Sequence, residues 1–164
     1  MKQIILTIST LLIFILPLAA CSSQKPQNII SNELGIDASS GNEVSSFDNH
    51  GGFHGDGTAY IALSFSDNTV LEQIQESTQW QAFPLDETVQ ALVYGVSDAT
   101  SRVGPFLYDE NGNPLVPGIS NGYYLLIDRH TDKEKNILNR SSFNFTLGLY
   151  DTDTNTLYYC EFDT

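Results

Sequence analysis

Basic residues are scarce in this sequence, which holds seven Lys and Arg against 20 Asp and Glu and has a formal net charge of −13 at pH 7. A surface this acidic repels phosphate, so nucleic acid is a poor partner and anionic lipid head groups do not attract the chain. The charge permits cationic partners, either divalent metal ions or basic peptides. Negative charge also keeps an exported protein soluble, which is a simpler reason for the same composition.

A phosphate-binding glycine loop is absent as well. Residues 50–57 read HGGFHGDG, with two of the three histidines, four glycines and an aspartate. The stretch does not end in GK[ST] and lacks the G-x-G-x-x-G order, and its glycines precede a predicted strand where a dinucleotide loop precedes a helix. Asp56 would also repel phosphate. The sequence therefore predicts no nucleotide site and no cofactor.

The chain begins with a short apolar leader. One positive charge, Lys2, precedes the apolar run Ile4–Leu18, and small residues follow it, as in a secretory signal peptide. About 15 helical residues rise roughly 22 Å, which is less than the ~30 Å hydrocarbon core of a membrane. Leu18-Ala19-Ala20-Cys21 resembles the lipobox of bacterial lipoproteins, in which the cysteine is lipidated and becomes the mature N-terminus. We expect a signal peptide over residues 1–20 and a lipid on Cys21 that holds the protein at the extracytoplasmic face of the cell membrane.

The two cysteines are Cys21 and Cys160. With a lipid on Cys21 no intramolecular disulfide can form, so the fold depends on its core alone. Cys160 alternates with Tyr158 and Phe162, and no positive residue adjoins it in sequence. The pattern predicts a small buried hydrophobic residue on a strand face.

Composition divides the rest of the chain in two. Residues 22–47 are rich in Ser, Asn, Gln and Gly and show no clear periodicity, so residues 21–47 are predicted to be a lipidated cysteine and a flexible tether. As a coil, about 26 residues would span roughly 25–30 Å. Residues 48–164 have the length of one domain with a proper core.

Alternation and capping signals predict the elements of that domain. Strands are expected at Thr58–Phe65 and Gly122–Arg129, and a C-terminal hairpin is expected from Phe143–Tyr150 and the LYYCEFDT segment. Helices are expected from Thr69, as the start of a capping box, and from Asp86 as N-cap. Because the connections are short, the sequence predicts an α+β fold: a single domain with a mainly antiparallel sheet and two short helices on one face.

Several stretches together resemble a family of small lipoproteins of Gram-positive bacteria. They are HGGFHGDGTAYIAL, LIDRH, RSSFNFTLGLYDTDTNTLYY with its C-terminal hairpin, and the terminal FDT, and they cover about residues 48–164. The resemblance implies a single domain anchored at the outer face of the plasma membrane. It implies no activity and no catalytic residues.

The histidines are the candidate metal ligands. Glycines around His50 and His54 disfavour a helix that would align them, and an extended strand would separate them by roughly 13 Å, too far for one ion bound at about 2.1 Å from each nitrogen. A curled glycine loop could bring them together, with carboxylate oxygens from Asp48 and Asp56 and a third imidazole from His130. Histidines in such loops also simply hydrogen-bond the backbone, so the metal site is one of two open interpretations.

Asp128-Arg129-His130 ends the predicted strand at Gly122–Arg129. Charged residues at a strand end are often solvated, and Arg129 could also pair structurally with Asp56 across the sheet. The functional alternative is that Arg129 offers its planar guanidinium to a carboxylate ligand while His130 titrates near neutrality. The candidate binding residues are therefore His50, His54, Asp56, Arg129 and His130.

Three functional hypotheses follow. The first is a membrane-anchored, non-catalytic binding domain whose acidic face or glycine loop holds a cationic or small polar partner. The second is a metal-dependent hydrolase built from His50, His54, Asp56 and His130. The third is an immunity or envelope-stress factor that captures a basic protein. The absence of a local Cys/His nucleophile signature favours the non-catalytic hypotheses.

Overall fold

A computed structural model of the chain describes residues 25–51 and 55–164. Its main element is a six-stranded sheet whose neighbouring strands pair antiparallel. The strands are β1 (Asn42–Asp48), β2 (Gly57–Ser64), β3 (Gln81–Ala82), β6 (Gly122–Asp128), β7 (Asn144–Asp151) and β8 (Thr156–Asp163). Their order across the sheet is β1-β2-β8-β7-β6-β3. The predicted α+β fold, with one domain and an antiparallel sheet, is confirmed.

In the described part of the chain, three α-helices and a small second sheet complete the fold. The helices are α1 (Pro26–Leu34), α2 (Thr69–Glu76) and α3 (Glu87–Val93), with a single 3₁₀ turn at Ile137–Asn139. The strands β4 (Val96–Ser97) and β5 (Arg102–Val103) form a separate two-stranded pair. Within residues 25–51 and 55–164, none of the helices is both long and apolar enough to cross a bilayer.

The C-terminal hairpin forms the middle of the sheet. Its strands β7 and β8 pair from Asn144 with Asp163 to Asp151 with Thr156, as the alternating pattern predicts. Both strands are buried along most of their length, on both faces. Cys160 is a free, fully buried thiol, and this burial raises the pKa of its side chain well above the usual range. It therefore has the predicted role of a small core residue.

The two predicted helices exist but do not share a face. The α2 residues Val70 and Ile74 pack in the same cluster as Leu63 and Tyr150. The α3 residues pack with the opposite cluster, which holds the inward side chains of Phe145, Leu147 and Leu149. The prediction of both helices on one face is therefore wrong. The physical reason is that β7 and β8 are apolar on both faces, and each face needs its own cover.

The capping signals give one success and one failure. Asp86 is the N-cap of α3, and its carboxylate accepts a hydrogen bond from the Val89 backbone N–H at 2.8 Å. The capping box predicted from Thr69 does not form, because Thr69 is already the first helical residue and the helix has no side-chain N-cap bond. The carboxylate of Asp67 instead accepts from the Thr69 N–H at 3.0 Å.

The flexible tether predicted over residues 21–47 is wrong for residues 25–47. These residues form α1 and β1, and α1 buries Ile30 and Leu34 completely against the sheet. The helix has the expected end signals, with Pro26 in its first turn and Gly35 in the left-handed conformation after its last residue. Residues 21–24, including Cys21, and the leader lie outside the described residues.

A glycine in the central strand allows α1 to approach closely. A Cβ at Gly148 would lie 2.7 Å from the Trp80 side chain and 2.9 Å from that of Leu34. The indole N–H of Trp80 also donates to the Leu34 carbonyl at 3.4 Å. The helix is therefore part of the core and is fixed to β7 through Leu34.

We expect Leu34→Ala to lower the free energy of unfolding by about 2–5 kcal/mol, because it leaves a cavity at a fully buried site. Urea unfolding followed by circular dichroism measures the change. Ile29→Ala on the same helix is the matched control, since Ile29 is 36% exposed. Equal effects of the two substitutions would contradict a packed α1.

Candidate functional site

The topology collects charged residues at one end of the sheet. Because neighbouring strands run antiparallel, the C-terminal ends of β1, β6 and β8 and the N-terminal ends of β2 and β7 lie at the same end of the sheet. His50 follows β1, Asp56 precedes β2, and Arg129 and His130 follow β6, so four of the five predicted binding residues lie at this end. The fifth, His54, lies outside the described residues.

His50 lies between two carboxylates. Its Nδ1 is 2.8 Å from Asp48 Oδ1 and its Nε2 is 3.4 Å from Asp163 Oδ2. The His50 backbone N–H also donates to Asp48 Oδ1 at 2.9 Å, and this bond is the main cause of a lowered pKa of Asp48. A Cβ at Gly57 would be 2.5 Å from His50 Cα, so the glycine makes room for this turn. These contacts hold the loop after β1 against the end of β8.

Arg129 is committed to an internal ion pair. Its Nη2 donates to both oxygens of Asp163 at 3.1 Å and to the Phe145 carbonyl at 3.2 Å. Its Nη1 lies 3.8 Å from Glu161. The structural pairing proposed for Arg129 exists, but its partner is Asp163 and not Asp56. Because Asp163 neutralises this guanidinium, the ion pair favours the structural interpretation of Arg129 over the binding of a carboxylate ligand.

His130 is also fully hydrogen-bonded. Its Nδ1 accepts from the Asp132 backbone N–H at 2.9 Å, and its Nε2 lies 3.1 Å from Ser142 Oγ. Nδ1 uses its lone pair as an acceptor, so the neutral ring carries its proton on Nε2 and donates to Ser142. His130 therefore fastens the loop after β6 to the start of β7.

A second ion pair lies beside His130. Arg140 donates to Asp128 at 2.9 Å, and this hydrogen bond lowers the pKa of the Asp128 carboxyl below its usual 3.8. Lys133 lies 3.5 Å from the same carboxylate. The KEK sequence at 133–135 reads as an ordinary solvated connection, so nothing in the sequence marks Lys133 or Arg140 as structural.

The described residues do not support a shared metal site. Among them, no group of three His, Cys, Asp or Glu side chains could hold an ion. Both ring nitrogens of His50 and of His130 already face protein hydrogen-bonding groups, whereas a ligand nitrogen needs a free lone pair. The contribution of His54 lies outside the described residues.

Two open grooves flank Asp56 and Asp163. One, called the acidic groove, is lined by Asp109 and Glu110 as well as Asp56 and Asp163, and has a volume of about 620 Å³. The other, called the mixed groove, has a volume of about 570 Å³. The mixed groove is lined by Arg129 and His130 with the polar side chains of Ser142 and Asn144. The structure thus brings Asp56, Arg129 and His130 to one groove, and His50 borders it only through Asp163.

The acidic groove combines carboxylates with aromatic rings. Its lining has no Lys, Arg or His among the described residues. The charged and aromatic side chains that line it are Asp56, Asp109, Glu110, Asp163, Phe106, Tyr108 and Phe162.

The aromatic part of the acidic groove is built on the core. The ring centroids of Phe106 and Phe162 are 6.0 Å apart, and Phe106 also packs on Phe143 at 4.7 Å. Tyr108 is 51% exposed at the rim. A cation held here would lie near both carboxylates and aromatic rings, the combination that binds ammonium and guanidinium groups.

One wall of the acidic groove is a turn that is held by internal hydrogen bonds. Asp109 accepts hydrogen bonds from the backbone N–H groups of Asn111 and Asn113 and from the Asn113 side chain. These bonds, chiefly that from the Asn113 side chain, lower the pKa of Asp109. Gly112 supplies the positive φ of 80° in this turn. The carboxylate of Glu110 makes no hydrogen bond within the described chain and remains available.

Sequence reasoning missed the groove residues Tyr108, Asp109, Glu110 and Asp163. The DENGN stretch reads as a turn, and Asp163 stands near the C-terminus with no motif around it. Only the pairing of β8 between β2 and β7 brings Asp163 to His50 and Arg129. The single sequence signal was the concentration of carboxylates, which predicts a cationic partner but does not locate it.

The loop before β6 contains one further pattern. Residues 118–122 read GISNG and match the G-x-S-x-G form of a nucleophile elbow. Here the serine lies in the loop that leads into β6, whereas an elbow follows a strand and opens a helix. His50 and His130 lie at the opposite end of the sheet, so Ser120 has no imidazole beside it among the described residues.

The comparisons with known proteins find no relative: no family model, no curated protein and no solved structure matches the chain.

We expect Asp163→Asn to lower the free energy of unfolding by about 1–2 kcal/mol, because it removes the carboxylate that both Arg129 and His50 face. Urea unfolding near neutral pH measures the loss. Asp56→Asn removes the same charge from the same end of the sheet and is the matched control, because the described structure gives the Asp56 carboxylate no ion pair. If both variants unfold alike, Asp163 is not the residue that holds this end together.

Proposed function

We propose that this protein is a lipid-anchored domain at the extracytoplasmic face of a cell membrane that binds a cationic partner in its acidic groove without catalysis. The observation that carries the binding proposal is the groove lining: four carboxylates and three aromatic rings, with no basic side chain among the described lining residues. Asp163 is neutralised by Arg129, so the charge available to a ligand comes from Asp56, Asp109 and Glu110.

The chemistry of the groove favours an amine or guanidinium group over a bare metal ion. A metal needs several ligands converging at about 2 Å, and the described residues contain no such group. A protonated amine needs only carboxylates at hydrogen-bond distance and an aromatic face, which Glu110 and Tyr108 supply at the rim. A basic peptide or protein segment carries such groups, so the capture of a basic protein by an immunity or envelope-stress factor is a special case of this proposal.

The metal-dependent hydrolase is the weaker alternative. Two of its residues would have to leave their present partners: His50 its two carboxylates, and His130 its bonds with Asp132 and Ser142. Each broken bond costs free energy that the metal would have to offset. No described contact favours this rearrangement.

The anchoring part of the proposal rests on the leader and on Leu18-Ala19-Ala20-Cys21, which resembles a lipobox. Burying each acyl CH₂ contributes about 0.8 kcal/mol, and two acyl chains hold a protein where one exchanges. The net charge of −13 gives the domain no attraction of its own to anionic lipids. The lipid would therefore supply the whole of the membrane affinity.

The groove predicts a salt-dependent affinity for hexalysine. We expect the chain from Ser22 onward, which carries every described element, to bind hexalysine at about 20 mM salt and to lose most of that affinity at about 200 mM, because screening weakens exposed charge pairs. Asp56→Asn with Glu110→Gln should weaken binding about five- to tenfold, and isothermal titration measures it.

The matched control is Glu76→Gln with Glu134→Gln, which removes two exposed charges away from the groove. Affinity that falls equally in both double variants would show only a general charge effect and would count against the groove. Hexaglutamate should not bind.

Anchoring is tested in cells of a bacterium that lipidates exported proteins. We expect metabolic labelling with a palmitate analogue to mark the wild-type chain and not Cys21→Ser, and the variant should leave the membrane fraction. Cys160→Ser is the control and should retain the label, because Cys160 is buried. An unlabelled wild-type chain, or one that keeps its leader in the cytosol, would overturn the anchoring proposal.

A further inference from the structure

The two edges of the main sheet are protected very differently. At one edge, β3 has only two residues and is followed by Phe83 and Pro84, so it offers little backbone for pairing. At the other edge, β1 has seven residues, six of them exposed. The sheet therefore has one long open edge in the described part of the chain.

The open edge lacks most of the usual protections. β1 reads NEVSSFD, with no proline and no lysine, and Val44 is 64% exposed. A bulge lies between Glu43 and Ser45, and the only charges are the carboxylates of Glu43 and Asp48. Natural proteins usually blunt such an edge with Lys, Pro or a covering element, because a bare edge pairs with other chains.

The outward backbone groups can be identified from the ladder. The Asn49 N–H donates to the Thr58 carbonyl at 3.1 Å, so Asn49 and Thr58 form a hydrogen-bonded pair. Hydrogen-bonded and non-hydrogen-bonded pairs alternate along an antiparallel ladder, which makes Phe47 and Tyr60 the next bonded pair. Ser46 and Asp48 therefore direct their N–H and C=O groups away from β2, and the described chain gives these groups no backbone partner.

We infer that β1 is a docking edge for an extended segment with basic side chains, which adds to the sheet as a further strand. This inference rests on the proposed function and specifies the partner and its binding mode. Main-chain hydrogen bonds to Ser46 and Asp48 provide affinity, and Glu43 and Asp48 select positive charge on the incoming strand. The C-terminal end of β1 adjoins the acidic groove, which Asn49 lines, so a segment along β1 passes the groove carboxylates.

Charge complementarity also excludes a second copy of this chain as the occupant. Pairing two β1 strands would bring Glu43 and Asp48 of one strand alongside those of the other, with no basic residue on either. Each chain has a net charge of −13, which adds a long-range repulsion. A basic extended segment gains from the same charges.

The probe is an alternating Lys-Val peptide of about ten residues, which has the pattern of a strand. We expect it to bind the chain from Ser22 onward and to slow hydrogen exchange at the outward amides of Ser46 and Asp48, while the Phe47 amide, already paired with β2, changes little. The same peptide with every backbone nitrogen methylated keeps its charge and loses its donors. It should bind about tenfold more weakly.

The protein variant that tests the edge is Ser46→Pro, which removes one outward donor and keeps the inward bonds of β1. Ser46→Pro should weaken the binding of the Lys-Val peptide about tenfold. Ser46→Ala, which keeps the backbone N–H, should bind the peptide with the same affinity as the wild type. The methylated peptide keeps the test decisive if Ser46→Pro does not fold.

Equal affinity for the methylated and unmethylated peptides, with loss in the Asp56→Asn and Glu110→Gln variant, would overturn edge docking and leave the proposed cationic groove intact. Failure of both hexalysine and the Lys-Val peptide to bind would overturn both. A concentration-dependent dimer, seen in sedimentation and abolished by Ser46→Pro, would overturn the basic partner in favour of a second copy.

Discussion

The burial of the β7–β8 hairpin on both of its faces is the constraint on which the rest of the structure depends. Phe145, Leu147 and Leu149 point to one face, while Tyr150, Leu157 and Tyr159 point to the other, and all six are fully buried. Each face therefore requires its own cover. Helix α3 and the loop residues that pack in the same cluster cover one face, and α1, α2 and Trp80 cover the other. A segment that looks too polar to fold, residues 25–47, is recruited because the second face would otherwise be exposed.

The same constraint explains why the charged residues meet at the sheet end. A sheet covered on both faces leaves its strand ends and its edges open to solvent, and charged side chains are placed there at low desolvation cost. Asp163, Arg129, His50 and Asp128 all lie within two residues of a strand end. Their ion pairs fasten the loops that leave the sheet, and the grooves form in the spaces between those loops. The candidate site is thus a by-product of how the sheet ends are closed.

Local patterns in the sequence predicted the parts of the fold that local interactions determine. The alternation in FNFTLGLY and LYYCEFDT gave the hairpin, and Asp86 gave a true N-cap, because each depends on residues close in sequence. Helix α1 was missed because its apolar stripe has only Ile30 and Leu34 within a polar composition, and tertiary packing supplies the rest of its stability. The sheet face against which each helix packs could not be predicted either, because it depends on the handedness of the connections and not on helical periodicity.

The candidate site divides in the same way. His50, Asp56, Arg129 and His130 were recognised by residue type, and they do lie at one end of the sheet. Their partners were not recognised, because Asp163 is more than a hundred residues from His50 in sequence and Ser142 is 12 residues from His130, near the other end of the β6–β7 connection. Once those partners are known, His50, His130 and Arg129 change from candidate ligands to structural residues. The carboxylates and aromatic rings near Tyr108, which carry no motif, are then the stronger candidates for ligand binding.

The position of α1 changes how far the domain can stand from a membrane. The helix begins at Pro26, five residues after Cys21, and five residues reach at most about 18 Å when fully extended. With the lipid proposed on Cys21, the folded domain would lie close to the lipid head groups and would not be separated from them by a long flexible linker. Such a protein would survey the thin layer of fluid immediately above the bilayer and meet neighbours embedded in the same membrane more readily than material farther out.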